Sequence, residues 1–172
     1  MTQSVLRNFL RLSLLVATLA WAPSSFAKVF APDGAGFSIN MPGTPKATET
    51  THKSFVGAVQ ETSYTLKSGA ITYTASVSNL PGAAVALGGS GTILGKAKDG
   101  LLKESGGSET SFTDINLGKY QGRALNFTLP NGIGQAKLYL VEKRLYVLVG
   151  SGPASASAAI GRFLNSFQLT SN

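Results

Sequence analysis

The segment from Ile133 to Leu169 constrains the fold of this chain more than any other part of the sequence. It contains two apolar strands, Ile133–Val141 and Leu145–Ser151, which are joined by the turn Glu142–Arg144. Apolar residues occupy both alternating sets of positions along these strands, and a sheet that is apolar on both faces needs cover on both faces. In a chain of this size, the expected cover is a helix packed on each side of the sheet.

A helix is predicted directly after these two strands. Beyond Pro153 the apolar residues recur at spacings of three, four and seven, which places them on one helical face. These residues are Ala156, Ile160, Phe163, Leu164 and Phe167. Phe163 and Phe167 are one turn apart and are expected to anchor the helix to the sheet.

The rest of the chain favours a mainly antiparallel α+β domain. Hairpin-length links join nearly all of the predicted strands, and such links are typical of antiparallel neighbours. The remaining predicted strands are Phe37–Met41, Thr48–Ser54, Val59–Leu66, Ile71–Asn79, Ser111–Leu117 and Arg123–Leu129.

A second helix is predicted at Thr92–Glu104, within a span that is rich in glycine. Residues 82–107 contain eight glycines in twenty-six positions. Gly95 and Gly100 lie inside the predicted helix, where each costs about 1 kcal/mol relative to alanine. This helix should therefore depend on tertiary packing, and it should be the least stable part of the domain.

The first residues of the chain predict a secretory signal peptide. Arg7 and Arg11 precede the apolar run Leu12–Ala20, and small residues follow at Ser25 and Ala27. The apolar run is about a dozen residues long, whereas a membrane-spanning helix needs about 20. The expected organisation is a signal peptide at residues 1–27 and one α+β domain at residues 28–172. After cleavage near Ala27 the domain would be periplasmic or extracellular, with no transmembrane anchor.

Charge and cysteine content limit the classes of partner. The chain has no cysteine, which excludes a disulfide framework and lipid attachment through a cysteine. Thirteen basic and eight acidic residues follow Ala27, which leaves a net charge of +5. The longest basic run is Lys143-Arg144, so the segment that would track a nucleic acid is missing. A mild attraction to an anionic cell envelope is expected instead.

Motifs for catalysis, cofactors and metals fail on spacing or on residue type. The glycines of residues 88–96 do not have the spacing of a phosphate-binding loop. His52 is the only histidine, and no Gly-x-Ser-x-Gly motif occurs. A symmetric hairpin turn at residues 55–58 would place Glu61 opposite His52 as a surface ion pair. The sequence therefore predicts a protein that is not an enzyme and has no cofactor and no metal site.

The densest basic cluster is predicted at one end of the sheet. The turns Gly118–Gly122 and Glu142–Arg144 are separated by two antiparallel strands, so they should lie at the same end. This placement would bring together Lys119, Tyr120, Arg123, Lys143 and Arg144. One interpretation is a rim that binds an anionic partner. The other is that these charged turn residues only keep the sheet end soluble.

Two stretches of sequence carry a resemblance to a known group of proteins. They are Gly36–Pro45 and Leu138–Val149, the second followed by Arg162–Phe167. The chain resembles small exported bacterial proteins of unknown role that have the PsbP-like fold. The resemblance implies an antiparallel sheet sandwiched by helices. It also implies an accessory or partner-binding role rather than an enzymatic one.

Three hypotheses about function follow from the sequence. The leading one is an exported, non-enzymatic domain that binds a protein or an envelope component. The alternative is a weak binder of polyanions or of a membrane surface, to which the domain would be peripheral. An enzyme would require a cleft in which carboxylates converge, and nothing in the sequence selects a pair among the eight carboxylates.

Overall fold

The computed structural model describes residues 27–54 and 57–170, so the predicted signal peptide lies almost entirely outside the described residues. The described residues form two antiparallel sheets and two α-helices. The strands are β1 (Lys28–Phe30), β2 (Phe37–Met41), β3 (Lys46–Ser54), β4 (Gly57–Ser68), β5 (Ile71–Asn79), β6 (Ser108–Leu117), β7 (Tyr120–Leu129), β8 (Gly132–Val141), β9 (Arg144–Gly152) and β10 (Gln168–Leu169). The helices are α1 (Gly82–Ser105) and α2 (Ser157–Asn165), and a 3-10 turn at Ala154–Ala156 precedes α2.

The main sheet has seven strands in the order β3-β4-β5-β9-β8-β7-β6, and every neighbouring pair is antiparallel. The prediction of a mainly antiparallel α+β fold is therefore confirmed. Strands β6 to β9 run further into their turns than predicted, because each turn contains only two residues. Leu117 pairs with Tyr120, and Val141 pairs with Arg144.

A small second sheet, in the order β1-β2-β10, joins the two ends of the domain. β2 is the predicted strand, whereas β1 and β10 were not predicted. They contain three and two residues, which is too short to show the alternation that marks a strand. Phe167 links this sheet to the rest of the core, because its ring lies 5.6 Å from both Phe37 and Tyr139.

Adjacent residues of β8 point into two different apolar clusters. Leu138 and Leu140 belong to a cluster that includes Leu94 of α1. Tyr139 belongs to a cluster that includes Ile160, Phe163 and Leu164 of α2. Successive side chains of a strand point to opposite faces, so these two clusters lie on opposite faces of β8.

Helix α1 begins ten residues earlier than predicted. The amides of Ala84 and Val85 donate to the carbonyl of Pro81 at 2.9 and 3.4 Å, which starts the helix immediately after strand β5. The prediction missed residues 82–91 because they are mostly glycine and alanine, and such small side chains form no periodic apolar stripe. Gly89 interrupts the helix with φ 63° and ψ 161°. Helix α1 is therefore a first segment, residues 82–88, and a second segment, residues 90–105, with a kink between them.

The hairpin β3–β4 has a shorter turn than the symmetric one considered from the sequence. His52 pairs with Val59, and Glu61 pairs with Thr50, so His52 and Glu61 do not face each other directly. Their side chains nevertheless meet diagonally across the two strands, with 3.5 Å between Nε2 and Oε2. The residues at the tip, 55 and 56, lie outside the described part.

Candidate anion-binding cleft

The structure places the turns 118–119 and 142–143 at the same end of the main sheet. The first turn joins β6 to β7 and the second joins β8 to β9. The intervening strands β7 and β8 are antiparallel neighbours in which Gly122 pairs with Tyr139. Lys119, Tyr120, Lys143 and Arg144 therefore lie at one end of the sheet.

Arg123 is separated from the others because it lies on the opposite face of the sheet. It pairs with Leu138, whose side chain belongs to the apolar cluster that includes Leu94 of α1, which we call the α1 cluster. Its Nε atom contacts Oδ1 of Asp114 at 3.0 Å, and its guanidinium carbon lies 5.1 Å from the centre of the Phe112 ring. Tyr120 is an odd number of residues away and points to the other face. The strand alternation thus divides the cluster that the sequence placed on one rim.

Tyr120, Lys143 and Arg144 line an open cleft of about 590 Å³ at this sheet end. Strand β9 begins at Arg144, and the preceding turn supplies Lys143. The other side of the cleft is formed by Gly36, before β2, and Thr170, after β10. The cleft therefore lies between the main sheet and the small sheet.

Glycine at position 36 allows Arg144 to pack against the backbone there. Gly36 has φ 72°, and a Cβ atom at this position would collide with Nη1 of Arg144. The same Cβ would lie 3.0 Å from the hydroxyl of Tyr146. That hydroxyl is buried and donates a hydrogen bond of 3.0 Å to the carbonyl of Ala35. The loop before β2 therefore lies directly against the Arg144 guanidinium.

Lys143 is held through its backbone. The amide of Leu80 donates to the Lys143 carbonyl at 2.8 Å, which ties the turn 142–143 to the end of β5. In the same turn Glu142 has φ 55°, in the left-handed region that favours glycine. A non-glycine residue there costs about 1 to 2 kcal/mol. The hydroxyl of Tyr120 donates to Oε1 of Glu142 at 3.5 Å, and Lys119 lies over the ring of Tyr120.

The two cations of the cleft differ from other basic residues in their surroundings. Lys98 contacts Glu109 at 2.8 Å and Asp99 at 3.2 Å, and its hydrogen bonds to these carboxylates raise the pKa of its ammonium group. In the part of the chain that the structure describes, no carboxylate lies within salt-bridge distance of Lys143 or Arg144. Glu142 also lines the cleft, but it forms no ion pair with either cation.

A second open groove, of about 660 Å³, lies between α1 and the strands β3, β4, β5 and β9. Its sheet side carries the His52–Glu61 pair and the hydroxyl residues Thr50, Ser63, Thr74, Ser76 and Ser78. Sequence reasoning missed this array, although β5 alternates Thr74, Ser76 and Ser78 with apolar residues.

The hydrogen bonds in this groove do not form a nucleophile and base pair. Ser63 and Ser78 donate to the carboxylate of Glu61, at 2.8 and 3.4 Å. The hydroxyl of Ser76 donates to the carbonyl of Val147 at 3.5 Å. A serine nucleophile would need a hydrogen bond to a general base such as His52. Over residues 27–54 and 57–170, no group of three or more His, Cys, Asp or Glu residues is arranged to hold a metal ion.

Comparison with known proteins identifies the fold. No protein-family model matches the chain, and no curated protein matches it. The structure is similar to the solution structure of cyanobacterial PsbP from Synechocystis sp. PCC 6803, with a TM-score of 0.58 and 10% sequence identity. The match covers 90% of this chain and 98% of that one. The fold is therefore PsbP-like, as the sequence resemblance implied.

A second similarity is weaker. A crystal structure of a protein of unknown function from Pseudomonas aeruginosa matches with a TM-score of 0.36 and 9% identity. That match covers 78% of this chain and 90% of the other. Neither α1 nor α2 has the length and hydrophobicity needed to cross a membrane, and this holds for the described residues.

Proposed function

We propose that this protein is an exported, non-enzymatic accessory domain that binds an anionic group of a protein or an envelope component in the cleft formed by Tyr120, Lys143 and Arg144. The observation that carries the proposal is the presence of Lys143 and Arg144 in one cleft, with no ion pair to a carboxylate in the described residues. A PsbP-like αβα sandwich, with helices covering both sheet faces, is compatible with such a role.

The chemistry of the cleft favours an anion with two acceptor oxygens. An arginine guanidinium presents parallel N–H donors that match a carboxylate or a phosphate, and lysine adds a point charge. Gly36 leaves room for the Arg144 guanidinium, and the Leu80–Lys143 hydrogen bond fixes the backbone of Lys143 before any ligand arrives. Preorganisation lowers the entropy that binding would otherwise cost.

Export is tested by the mass of the protein that leaves the cytoplasm. Cleavage after Ala27 would remove Trp21, the only tryptophan of the chain. The exported protein should then have a mass that starts at Lys28 and show fluorescence from tyrosine alone. An exported species that retains residues 1–27 would contradict this part of the proposal.

Binding is tested with a double variant, Lys143→Gln with Arg144→Gln, and a control with the same change in charge, Lys46→Gln with Lys67→Gln. Lys46 and Lys67 are exposed residues of β3 and β4. The probes are heparin, as a soluble polyanion, and washed native envelope fragments, each over a salt series. We expect the first variant to bind at least about tenfold more weakly and to lose most of its salt dependence.

The control should bind nearly as well as the unchanged protein if the cleft is the site. Equal losses in both double variants would show that only net charge matters, which would contradict a site in the cleft. Far-ultraviolet circular dichroism and the melting temperature of each variant establish that the fold is intact.

A further inference from the structure

The first segment of α1 is an uncharged and exposed element. Residues 80–95 contain no charged side chain. Within this span Leu87 is 85% exposed, the largest exposure among the large hydrophobic residues of the described chain. A single exposed leucine is common on protein surfaces and does not by itself indicate a binding site. The position of Leu87 relative to the cleft is therefore the observation to examine.

Two contacts place this segment at the end of the sheet that holds the cleft. A Cβ atom on Gly82 would lie 3.6 Å from Nζ of Lys143. Beyond the kink, the hydroxyl of Ser90 donates to Oε1 of Gln121, close to the turn 118–119. The seven residues of the first segment rise about 10 Å, and two strand spacings also span about 10 Å. The segment therefore crosses the sheet end from the turn that carries Lys143 towards the turn that carries Lys119.

The segment has one buried side and one exposed apolar side. Val85 packs against the α1 cluster. Two helical residues correspond to a rotation of about 200°, so Leu87 points away from Val85 and from the sheet. Ala83 and Ala86 are also exposed, and their spacing from Leu87 puts all three on one helical face. An apolar face without charge thus lies beside Lys143 at this end of the sheet, on the face opposite to Tyr120 and Arg144.

We infer that the anionic partner of the cleft is a lipid surface, on which Leu87 inserts among the acyl chains while Lys119, Lys143 and Arg144 contact anionic headgroups. This inference rests on the proposed function and names its partner. Apolar burial combined with electrostatic attraction is the physical basis of peripheral membrane binding. A soluble polyanion would attract the same cations, but it would gain nothing from an exposed leucine.

The exported chain offers a site-specific probe, because it would contain no tryptophan of its own. Leu87→Trp introduces one at the proposed insertion site, and Val29→Trp provides a control at the other large hydrophobic residue that is exposed in the described part of the chain, at 63%. Both variants are made in the chain that starts at Lys28 and mixed with vesicles of phosphatidylglycerol and phosphatidylethanolamine. We expect a blue shift of the emission and quenching by brominated acyl chains for Leu87→Trp, and neither for Val29→Trp.

A second variant, Leu87→Ser, measures what insertion contributes. It should weaken binding to the vesicles by about tenfold, the effect of exposing a leucine that would otherwise be buried. Heparin binding should not change, because the substitution leaves every charge in place. Lys143→Gln with Arg144→Gln should weaken binding to both probes.

The remaining outcomes separate the two proposals. If Leu87→Ser binds vesicles as tightly as the unchanged protein, or if Leu87→Trp shows no blue shift on vesicles, the lipid inference is overturned. The cleft then remains an anion site for a soluble or protein partner, provided that heparin binding still depends on Lys143 and Arg144. If neither probe depends on these two cations, the proposed function fails as well.

Discussion

The longer helix, α1, buries fewer of its residues than the shorter helix, α2. Helix α2 has nine residues, and three of them, Ile160, Phe163 and Leu164, are buried. Helix α1 has twenty-four residues, and Leu94 is the one that is buried. A helix in a protein is stabilised mainly by the apolar face that it packs. The shorter helix is therefore the more completely packed one, and the longer helix rests on the sheet through a thinner apolar face.

The glycines of α1 accentuate this difference. Six residues of α1 are glycine, whereas α2 contains Gly161 alone. Each interior glycine lowers helix stability, and Gly89 also takes a left-handed φ that breaks the helix. Low local stability is typical of elements that bind or move. The comparison of α1 with α2 thus supports the docking role inferred for the first segment of α1.

The largest effect should come from a matched pair of core truncations, Leu164→Ala in α2 and Leu94→Ala in α1. The two leucines are 4% and 1% exposed, so the chemistry and the burial are the same. We expect Leu164→Ala to lower the free energy of unfolding by about 3 kcal/mol. Leu94→Ala should lower it by about half as much, because α1 can open while the sheet stays folded. Equal losses in urea unfolding would show that α1 and α2 are equally integral to the fold.

Amide hydrogen exchange should reveal the same difference without any mutation. The amides of α1 should exchange at least about tenfold faster than those of β9, which corresponds to about 1.4 kcal/mol in opening free energy. Amides of α2 should resemble those of β9. The comparison breaks down if the second segment of α1 is as protected as Arg144–Gly152.

Replacing two glycines should reduce the difference between the helices. Gly95→Ala and Gly100→Ala add methyl groups at positions where a Cβ atom has nothing within 4 Å. Each should stabilise the helix by up to about 1 kcal/mol, so the double variant should slow exchange in α1 by about tenfold. Gly89→Ala is the control and should destabilise α1, because φ 63° is strained for alanine. A stabilising Gly89→Ala would mean that the kink is not a fixed feature of the helix.

The smallest effect concerns the turn beside α1. Glu142→Gly should raise the free energy of unfolding by about 0.5 to 1 kcal/mol, because glycine adopts φ 55° without strain. Glu142→Gln keeps the strain and should leave stability nearly unchanged. Both variants remove a negative charge from the cleft and should strengthen heparin binding by about two- to threefold. A stability gain in the Gln variant would show that the charge of Glu142, and not its backbone conformation, destabilises the turn.

The parts of the fold that could be predicted are those with a repeated pattern. The alternation of Leu138, Tyr139 and Leu140 predicted two buried faces of β8, and the spacing of Ile160, Phe163 and Leu164 predicted α2. Ala156 and Phe167 were assigned to the same helix, but they lie just outside it. The strands β1 and β10 are too short for a pattern, and residues 82–91 have small side chains that give none. Such elements depend on contacts between residues that are distant in sequence.

The candidate site could be predicted only in part for a similar reason. The order of antiparallel strands was enough to bring Lys119 and Lys143 to one end of the sheet. The parity of strand positions also determines which face Arg123 occupies, but Arg123, the first residue of a predicted strand, was assigned to the rim only because it follows the turn Gly118–Gly122. The partnership of Arg144 with Gly36 joins residues that are 108 positions apart, and a sequence without its fold does not show it.

The small sheet has a consequence for the order in which this chain can fold. Strand β2 pairs on one side with β1, at the start of the domain, and on the other side with β10, at its end. If the protein is exported as proposed, with the start of the domain crossing the membrane first, β1 can reach β2 at once and β10 reaches it last. The contact between the rings of Phe37 and Phe167 also forms only after Phe167 has emerged. The domain would then stay incompletely folded until β10 has emerged. Chains halted before residue 160 should therefore be degraded by added protease, whereas the full chain should be protected.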